Sequence, residues 1–495
     1  MRSVKNWMIL SLIGFSIAGC SRKVNHNTRD LTPLAGCWEV SPVSELKGSP
    51  SEWRLFSWRP DSSLIQSMIY EIGPRSRLRT MDIDVTVQGG IVSWNGYQGV
   101  LNKTLDTMIV SKGHNVQKTL WRFVRNRSAD SLMTALYSYK ASPYTYRVPQ
   151  LRDDGWLTTD MSDVGVGSDK INRLIRDISQ GRHGDIHSFL IVKDNRLVVE
   201  EYFCENGSKH GPFITGHFCD RVHHLASTTK SVTSILVGIA IDRGFINNIE
   251  DPIHQYLPEY TELFTEQKKQ IRISHMLTMT PGYQWRQFRV SDDKNDAMAM
   301  WHTDDVIRFV LQKPIEAEPG EKFNYTNGVP TVTGEIIKNA VGMELKDFAE
   351  KVLFHPLGIT TYNWTSYPDG SMETDGGLAL RPRDLAKIGQ LFVNGGEWEG
   401  QRIVSEVWVR ESTRERLRFG NSLQWGYGYH WMQAESRIGE HVVRSYFVPG
   451  DGSQILAVFP DLRLVIVFTA GNYGVDPNPV YYSLFEKYIL TAVIG

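Results

Sequence analysis

The chain has 495 residues, of which 41% are hydrophobic and 22% are charged, and its formal net charge is −1. This length exceeds what one hydrophobic core usually holds, so we expect two domains. No basic stripe stands out in the sequence, which argues against nucleic acid as a partner. The 14 histidines lack metal-ligand spacing and there is no glycine-rich phosphate loop, so the sequence predicts neither a metal nor a cofactor.

The first twenty residues have the pattern of a secretion signal. A basic start precedes an apolar run from Trp7 to Ala18, which is shorter than the roughly 20 residues that a membrane-spanning helix needs. The following Ile17-Ala-Gly-Cys20 is similar to a bacterial lipobox, and Ser21 after it is typical of outer-membrane sorting. We expect a signal peptide over residues 1–19 and a lipid on Cys20 that anchors the protein to the outer membrane, facing the periplasm. The alternative is an uncleaved N-terminal anchor.

Residues 31–125 have the alternating pattern of antiparallel strands. Polar and apolar residues alternate over Met81–Val87, Gly89-Gly90 predicts a turn, and Thr107–Val110 and Leu120–Val124 are predicted strands. These features predict a small all-β N-terminal domain, either an antiparallel barrel or a sandwich. We favour a spacer or lid over a ligand-binding module, because a fold alone does not establish a binding site.

Residues 126–150 are predicted to be a linker and residues 151–495 a larger domain, in which strand and helix patterns are mixed. The sequence therefore predicts an α+β fold with an antiparallel sheet flanked by helices and a helical lobe beside it. The predicted elements are a helix over Asp169–Ser179, a hairpin of His187–Lys193 and Leu197–Phe203 turning at Asp194-Asn195, a hairpin of Ile455–Phe459 and Leu464–Thr469, and a helix over Val480–Val493.

Export would expose the cysteines to an oxidising compartment. Cys204 and Cys219 flank a stretch that contains glycine and histidine, and we predict that they form a disulfide. Such a bridge would restrict the unfolded chain and fix the path into the following helix. Cys37 is then left over and is predicted to be a small buried residue.

Ser227-Thr-Thr-Lys230 opens a predicted unbroken helix, whose apolar residues recur at the helical interval as far as Gly244. Ser227 supplies a hydroxyl nucleophile, and Lys230 supplies an amine on the same helical face. Burial disfavours the charged amine, so Lys230 is a candidate to take the proton of Ser227. An ordinary solvated lysine is the alternative. Two further Ser-x-x-Lys spacings, at 44–47 and 291–294, precede no apolar helix and are predicted to be surface loops.

Tyr325-Thr-Asn327 follows a turn signal 98 positions after Ser227. A phenol beside a lysine can relay a proton to a leaving group, which makes Tyr325 a candidate proton carrier rather than a packing residue. Asn327 has both a donor and an acceptor, so we expect it to hold Lys230 and a substrate carbonyl. His223 and His224 are predicted to pack or to form hydrogen bonds before the helix. No Gly-x-Ser-x-Gly sequence is present, so an α/β-hydrolase triad is not expected.

The two motifs together resemble the serine beta-lactamase and penicillin-binding-protein superfamily. The branch in question contains class C beta-lactamases, D-alanyl-D-alanine carboxypeptidases, family VIII esterases and 6-aminohexanoate-dimer hydrolases, and the last two kinds are the most similar. The resemblance runs from about Gly155 to the C-terminus and implies a beta-lactamase/transpeptidase-like fold. The further sequence segments that carry this resemblance are Ser188-Phe-Leu-Ile-Val, Glu200-Glu-Tyr-Phe203, Leu277-Thr-Met-Thr-Pro-Gly282, Phe354-His-Pro-Leu-Gly358, Gly377-Leu-Ala-Leu-Arg-Pro-Arg-Asp384 and Gly389-Gln-Leu391.

The chain departs from that superfamily at its third motif, a Lys-Thr-Gly strand that helps to hold the carboxylate of a beta-lactam. The matching region reads Phe447-Val-Pro-Gly450-Asp-Gly452-Ser-Gln454, without the lysine or the threonine. This lowers the expectation of a true beta-lactamase. Glycine still allows a backbone N–H to approach a substrate oxygen, so we expect the N–H groups of Ser227 and of a residue near Gly450 to form an oxyanion hole. An ordinary hairpin turn is the alternative for Gly450 and Gly452.

The sequence thus predicts a serine hydrolase that forms an acyl-enzyme at Ser227 on an ester or amide, with a cell-wall peptide as one possible substrate. Its predicted partners are a small-molecule or peptide substrate and, through the lipid, a membrane. The alternative is a penicillin-binding-like receptor or scaffold at the cell envelope without turnover. The presence of both an amine and a phenol argues against that alternative, since a binder needs neither.

Overall fold

The fold is given by a computed structural model. It describes residues 144–180, 182–203, 221–288, 290–419, 425–473 and 484–495, together with nine strand segments between Gly36 and Arg125.

The nine N-terminal segments form one sheet in the order β4-β3-β2-β1-β9-β8-β7-β6-β5, and all its pairs are antiparallel. The outer strands β4 and β5 are consecutive in the chain. Whether this region is a barrel or a sandwich stays a prediction. The segments are β1 Gly36–Pro42, β2 Glu52–Trp58, β3 Leu64–Glu71, β4 Arg77–Asp84, β5 Thr86–Gln88, β6 Ile91–Trp94, β7 Tyr97–Leu101, β8 Thr107–Lys112 and β9 Thr119–Arg125.

A second nine-stranded sheet, in the order β10-β12-β11-β23-β22-β21-β20-β19-β18, is the centre of the larger domain. Two small sheets, β13-β15-β14 and β16-β17, lie outside it. The bounds are β10 Leu157–Thr158, β11 Ile186–Lys193, β12 Arg196–Tyr202, β13 His223–His224, β14 Tyr362–Trp364, β15 Leu378–Leu380, β16 Glu397–Trp398, β17 Gln401–Arg402, β18 Leu417–Arg418, β19 Gly426–Tyr427, β20 Met432–Ile438, β21 His441–Gly450, β22 Gln454–Phe459 and β23 Leu464–Ala470.

The prediction of a purely antiparallel sheet needs one correction, because β10 pairs with β12 in parallel. Parallel neighbours need a long crossover, and the chain supplies it by passing through a helix and β11 before it returns as β12. Both predicted hairpins are confirmed. The first turns at Asp194 and Asn195, whose φ angles of 51° and 61° are those of a type I′ turn.

The helices pack on both faces of the sheet and build the lobe beside it. In the described residues no helix combines the length and the apolar character needed to cross a bilayer. The α-helices are α1 Ser168–Ser179, α2 Thr229–Asp242, α3 Ile273–Leu277, α4 Asp296–Ala299, α5 Val306–Leu311, α6 Gly328–Val341, α7 Leu345–Ala349, α8 Pro382–Val393, α9 Glu406–Thr413 and α10 Thr491–Ile494. Short 3-10 turns are Met161–Val164, Ala226–Thr228, Ile253–Tyr256, Pro258–Leu263, Lys268–Gln270, Asp292–Lys294, Met300–His302 and Pro460–Leu462, and π-helical turns are Glu350–Phe354 and Phe485–Leu490.

The sheet is buried on both faces, as the alternating side chains of β11 show. Leu190 and Val192 belong to the hydrophobic cluster that α2, α6 and α8 share, whereas Phe189 and Ile191 belong to the cluster around α1 and the C-terminal helix. The two sides of the sheet therefore form two apolar layers. This confirms the α+β prediction of a sheet flanked by helices.

The end of the predicted linker packs on the larger domain. The Tyr144 hydroxyl donates to Glu201 Oε1 at 2.6 Å. Arg383, which is buried, donates to the carboxylate of Asp154 at 2.6 Å and to the main-chain oxygen of Gln150 at 2.7 Å. The segment from residue 144 onward is thus fastened to this domain by buried and half-buried polar groups.

Candidate active site

Ser227 lies in the 3-10 turn Ala226–Thr228, and α2 begins one residue after that turn, at Thr229. The prediction that Ser227-Thr-Thr-Lys230 opens a helix is confirmed, with a first turn that is 3-10 rather than α. The helix cannot extend back past Ser227, because Ala226 has a φ of 47° in the left-handed region. The sharp turn is held by a hydrogen bond from Thr229 Oγ1 to Ala226 O at 2.7 Å, and it presents Ser227 at the head of α2.

Lys230 points back along α2 to Ser227. Its side-chain nitrogen is 3.0 Å from Ser227 Oγ and 2.6 Å from the main-chain oxygen of Asp375, while the residue as a whole is only 2% exposed. The spacing of three residues on one helical turn brings nucleophile and amine together, as expected from the sequence. The desolvated amine has two oxygen neighbours, of which one is the reactive hydroxyl.

Tyr325 lies over the same amine, with its ring centroid 5.0 Å from Lys230 Nζ. The exposed ring of Phe288 packs against Tyr325 at 5.8 Å between centroids. The Ser227 hydroxyl, the Lys230 amine and the Tyr325 ring thus lie close together, and the exposed Phe288 ring lies beside Tyr325.

Asn327 is held differently from what the sequence led us to expect. Its side-chain oxygen accepts a hydrogen bond from Gln287 Nε2 at 3.1 Å, and its main-chain N–H donates to Gln287 Oε1 at 3.0 Å. Trp285 Nε1 donates to the same Gln287 oxygen at 3.0 Å. The hydrogen bonds of Lys230 go to Ser227 and Asp375 instead. Gln287 is a long side chain from a separate loop, and nothing in the spacing of the motifs predicts it.

Asp375 is a second residue of the site that sequence reasoning missed. Besides the main-chain contact with Lys230, its carboxylate accepts from the Tyr367 hydroxyl at 2.7 Å and from Thr331 Oγ1 at 3.4 Å. Burial raises the pKa of Asp375, and the nearby Lys230 charge and the Tyr367 hydrogen bond oppose that rise. The available signal was Asp375-Gly-Gly377, just before the segment from Gly377 to Asp384 that resembles the superfamily. However, Lys230 binds the main-chain oxygen of Asp375, and every residue type has such an oxygen, so the sequence does not reveal this contact.

Gly450 is the last residue of β21. It lies directly against the nucleophile turn, the 3-10 turn Ala226–Thr228 that carries Ser227 together with Leu225 before it. A Cβ at this position would lie 2.2 Å from the main-chain oxygen of Leu225, and Thr228 Oγ1 donates to Val448 O at 3.4 Å. Only glycine permits this close approach of the strand end to Leu225, and a role of Gly450 in an oxyanion hole stays a prediction.

Gly452 occupies the hairpin turn beyond β21 rather than the strand edge. Its φ is 78°, and its main-chain oxygen accepts from Asn472 N–H at 3.0 Å. Gly452 therefore shapes the turn, as the alternative interpretation of this region proposed, while Gly450 is the glycine that contacts the nucleophile segment.

His223 and His224 form β13, which pairs with β15 and leads into the nucleophile turn. His223 Nε2 is 2.8 Å from His187 Nδ1, and His223 Nδ1 is 2.9 Å from the main-chain oxygen of His224. Burial, followed by the charge of His187, lowers the pKa of His223 to about 3. His223 is therefore a hydrogen-bonding residue ahead of α2 in this arrangement, in the role that the sequence suggested.

Several predicted residues lie outside the described part of the chain. Cys20, Cys204 and Cys219 belong to this group, so the lipid attachment and the disulfide stay predictions. Within the described ranges, no three His, Cys, Asp or Glu side chains are placed to hold a metal ion.

A helical lobe beside a central sheet, with a Ser-x-x-Lys pair at the head of a buried helix and a tyrosine over the lysine, defines the class of serine hydrolases with a beta-lactamase/transpeptidase fold. The profile of the Beta-lactamase family matches residues 171–480, and the chain belongs to this family.

Comparison with known proteins finds a 6-aminohexanoate-dimer hydrolase, a carboxylesterase and a penicillin-binding protein homologue among the similar molecules. A 6-aminohexanoate-dimer hydrolase of Paenarthrobacter ureafaciens is 23% identical over 307 residues, which cover 58% of this chain and 68% of that protein. A family VIII carboxylesterase superposes with a TM-score of 0.52 at 16% identity, covering 66% of this chain and 99% of its own. A penicillin-binding protein homologue from Caulobacter crescentus superposes with a TM-score of 0.50 at 16% identity, covering 65% and 97%. The solved structures establish the fold alone.

Proposed function

We propose that the protein hydrolyses esters or amides through an acyl-enzyme at Ser227. The observation that carries the proposal is the 3.0 Å contact between Ser227 Oγ and the buried amine of Lys230. A serine hydroxyl is a weak nucleophile until a nearby base takes its proton. Lys230 is the basic group in hydrogen-bond contact with that hydroxyl.

In the first step, an uncharged Lys230 gives one N–H to the main-chain oxygen of Asp375 and turns its lone pair toward Ser227. Ser227 Oγ then attacks the substrate carbonyl carbon while its proton passes to Lys230 Nζ. The carbonyl π electrons move to oxygen and form a tetrahedral oxyanion. The N–H groups of Ser227 and Gly450 are the proposed donors to that oxyanion, supported by the contact of Gly450 with Leu225.

Collapse of the tetrahedral intermediate breaks the bond to the leaving oxygen or nitrogen. Tyr325 donates its phenolic proton to that atom and recovers a proton from Lys230, whose nitrogen lies 5.0 Å from the Tyr325 ring centroid. In the second half of the reaction, water attacks the carbonyl carbon of the acyl-enzyme and gives a proton to the pair of Lys230 and Tyr325. The same pair returns a proton to Ser227 Oγ as that oxygen leaves. The products are a carboxylic acid and an alcohol or amine, and the enzyme is restored.

The preferred substrate is an uncharged, partly apolar ester or amide. The strand that faces the nucleophile has Val448 and Pro449 where a superfamily lysine would bind a carboxylate. Phe288, 63% exposed, supplies an apolar wall beside Tyr325, and Asp451 adds negative charge at the β21–β22 turn. The names of the similar proteins, a carboxylesterase and an aminohexanoate-dimer hydrolase, are in keeping with this preference.

The test combines an active-site label with a substrate panel. A fluorophosphonate probe should label the wild-type protein and fail on Ser227→Ala, while Ser234→Ala, a buried serine on the same helix, should label normally. Purified mature protein is then assayed with p-nitrophenyl esters, D-Ala-D-Ala peptides, nitrocefin and aminohexanoate oligomers. Turnover of the neutral esters above nitrocefin supports the proposal. Labelling that survives Ser227→Ala would overturn it, and penicillin binding without turnover of any substrate would favour the receptor.

We further propose that Cys20 carries the lipid that holds the enzyme at the outer membrane, facing the periplasm. The support is the apolar run and the Ile17-Ala-Gly-Cys20 sequence. Intact-mass measurement of membrane-extracted protein should find an acylated N-terminus at Cys20. A mature N-terminus elsewhere, or an unmodified Cys20, would contradict this part of the proposal.

A further inference from the structure

Asp185, His187 and His223 form a continuous polar chain at the beginning of β11. Asp185 Oδ2 is 3.2 Å from His187 Nε2, a close charge contact without the geometry of a directed hydrogen bond, and His187 Nδ1 is 2.8 Å from His223 Nε2. The side chains of Asp185 and His187 are 17% and 14% exposed, so the pair is largely shielded from solvent. The catalytic steps above use none of these three groups.

The positions of the hydrogens on the two histidine rings follow from the contact between His223 and the main-chain oxygen of His224. A main-chain oxygen only accepts, so the 2.9 Å contact with His224 O puts a hydrogen on His223 Nδ1. His223 is neutral, because burial holds its pKa near 3, and its Nε2 is therefore an acceptor. His187 Nδ1 must then carry a hydrogen. A neutral His187 would leave the lone pair of Nε2 3.2 Å from the Asp185 carboxylate, whereas an imidazolium places a positive charge there.

The cluster of Asp185, His187 and His223 is connected to both sides of the proposed catalytic centre. On one side, His223 holds the main-chain oxygen of His224, three residues before Ser227. On the other side, Asp185 N–H donates to Asn472 Oδ1 at 2.7 Å, and Asn472 N–H donates to Gly452 O at 3.0 Å. The nucleophile segment and the turn beyond Gly450 are therefore connected through this one cluster.

We propose that Asp185, His187 and His223 are positioning residues, with His187 an imidazolium paired to Asp185, and that they fix the nucleophile turn relative to the turn that follows Gly450. This inference rests on the proposed acyl-enzyme function. Displacement of about 1 Å of a catalytic group can lower the rate by about a hundredfold, so an unconnected pair of turns would be a poor catalyst. His187 faces Asp185 and His223, with His224 beyond it, and Gly471 and Asn472 lie against the pair from the end of β23.

The charge of His187 is tested without any substrate. In protein labelled with 15N-histidine, NMR at pH 7 should show one histidine with both ring nitrogens protonated, and this signal should vanish in His187→Asn. In Asp185→Asn, which keeps the shape of the side chain, the same histidine should become neutral. A neutral His187 in the wild type, or an unchanged charge in Asp185→Asn, would overturn the assignment.

The positioning role is tested by kinetics on the same variants. His187→Asn and Asp185→Asn should lower kcat by about tenfold to a hundredfold with little change in KM. His183→Asn, which alters a half-buried histidine next to Tyr488, should leave kcat unchanged and serves as the control. Equal kcat in Asp185→Asn and wild type would overturn the role. Failure of Ser227→Ala to abolish turnover would instead refute the acyl-enzyme and leave the NMR assignment standing.

Discussion

Lys230 donates a 2.6 Å hydrogen bond to the main-chain oxygen of Asp375, and this bond sets the direction of the amine. Because one N–H of Lys230 points to the Asp375 main-chain oxygen, another bonding direction of the same nitrogen points to Ser227 Oγ, which is 3.0 Å away. Asp375 thus orients the lysine through its backbone, while its side-chain oxygen accepts hydrogen bonds from Tyr367 and Thr331.

Replacement of Lys230 by arginine separates proton transfer from charge. Arginine keeps a cation next to Ser227, but it does not lose a proton in proteins, so it cannot act as a base. We expect acylation by a p-nitrophenyl ester to slow by about 10²–10⁴-fold in Lys230→Arg, measured in the pre-steady state. Lys338→Arg, on the surface of α6, is the control. A Lys230→Arg enzyme with near-normal acylation would show that the lysine acts only through its charge.

Removal of the Tyr367 hydroxyl should weaken the protein more at pH 8 than at pH 5. The folded-state pKa of Asp375 is raised by burial, so the stability it contributes is complete below the unfolded pKa and is lost as pH rises. Tyr367→Phe removes a partner that opposes this rise, which leaves the buried carboxylate less well compensated. We expect a loss of about 1–3 kcal/mol in the free energy of unfolding at pH 8, measured by urea denaturation.

Tyr256→Phe is the matched control for Tyr367→Phe, because it removes a phenol from Asp251, a carboxylate outside the site. Its effect on stability should be smaller and should not grow between pH 5 and pH 8 to the extent seen for Tyr367→Phe. Equal losses for the two variants at both pH values would contradict the assignment of Tyr367 as the hydroxyl that stabilises the charged form of the buried Asp375.

A methyl group at Gly450 should damage catalysis more than folding. The added Cβ would meet the main-chain oxygen of Leu225 at 2.2 Å, so the strand end must move away from the nucleophile turn. Loss of one oxyanion donor lowers kcat by about 10²–10³-fold, and we expect a Gly450→Ala effect in that range. Gly439→Ala, where a Cβ meets no atom within 4 Å, should cost some stability because of the φ of 59° but should change kcat little. A Gly450→Ala enzyme with wild-type kcat would exclude this backbone N–H from the oxyanion hole.

Glu201 should make stability depend on pH. Burial raises its pKa to about 7 from an ordinary value of 4.5, so its contribution is complete below pH 4.5 and is lost as pH rises through 7. Glu201→Gln keeps an acceptor for Tyr144 and cannot titrate. Relative to this variant, the wild type should lose on the order of 3 kcal/mol of unfolding free energy between pH 4.5 and pH 7.5. Glu266→Gln, at an exposed site, is the control; parallel curves for wild type and Glu201→Gln would reject the prediction.

The elements predicted correctly are those whose information is local. The turn at Asp194-Asn195 and the helix that begins near Asp169 follow from residue type and periodicity over a few positions. The Ser227–Lys230 contact has the same origin, because one helical turn brings the two side chains together. The beta-lactamase-like fold followed from the resemblance of motifs spread along the chain.

The features that sequence did not reveal depend on contacts between distant segments or on backbone atoms. Asn327 was assigned to Lys230, yet Gln287, 40 residues earlier in the chain, holds it. The acceptor of Lys230 is a main-chain oxygen, which every residue has. The left-handed conformation of Ala226 also has no sequence signal, since alanine ordinarily favours the right-handed helix.

The polar contacts of the segment after residue 144 restrict where the chain can be shortened. A fragment that began at residue 151, the predicted domain boundary, would lack the Tyr144 phenol that contacts Glu201 and the Gln150 oxygen that accepts from Arg383. Two buried charged side chains would then face gaps or water. A stable catalytic fragment must therefore retain residues that sequence alone would assign to a dispensable connector.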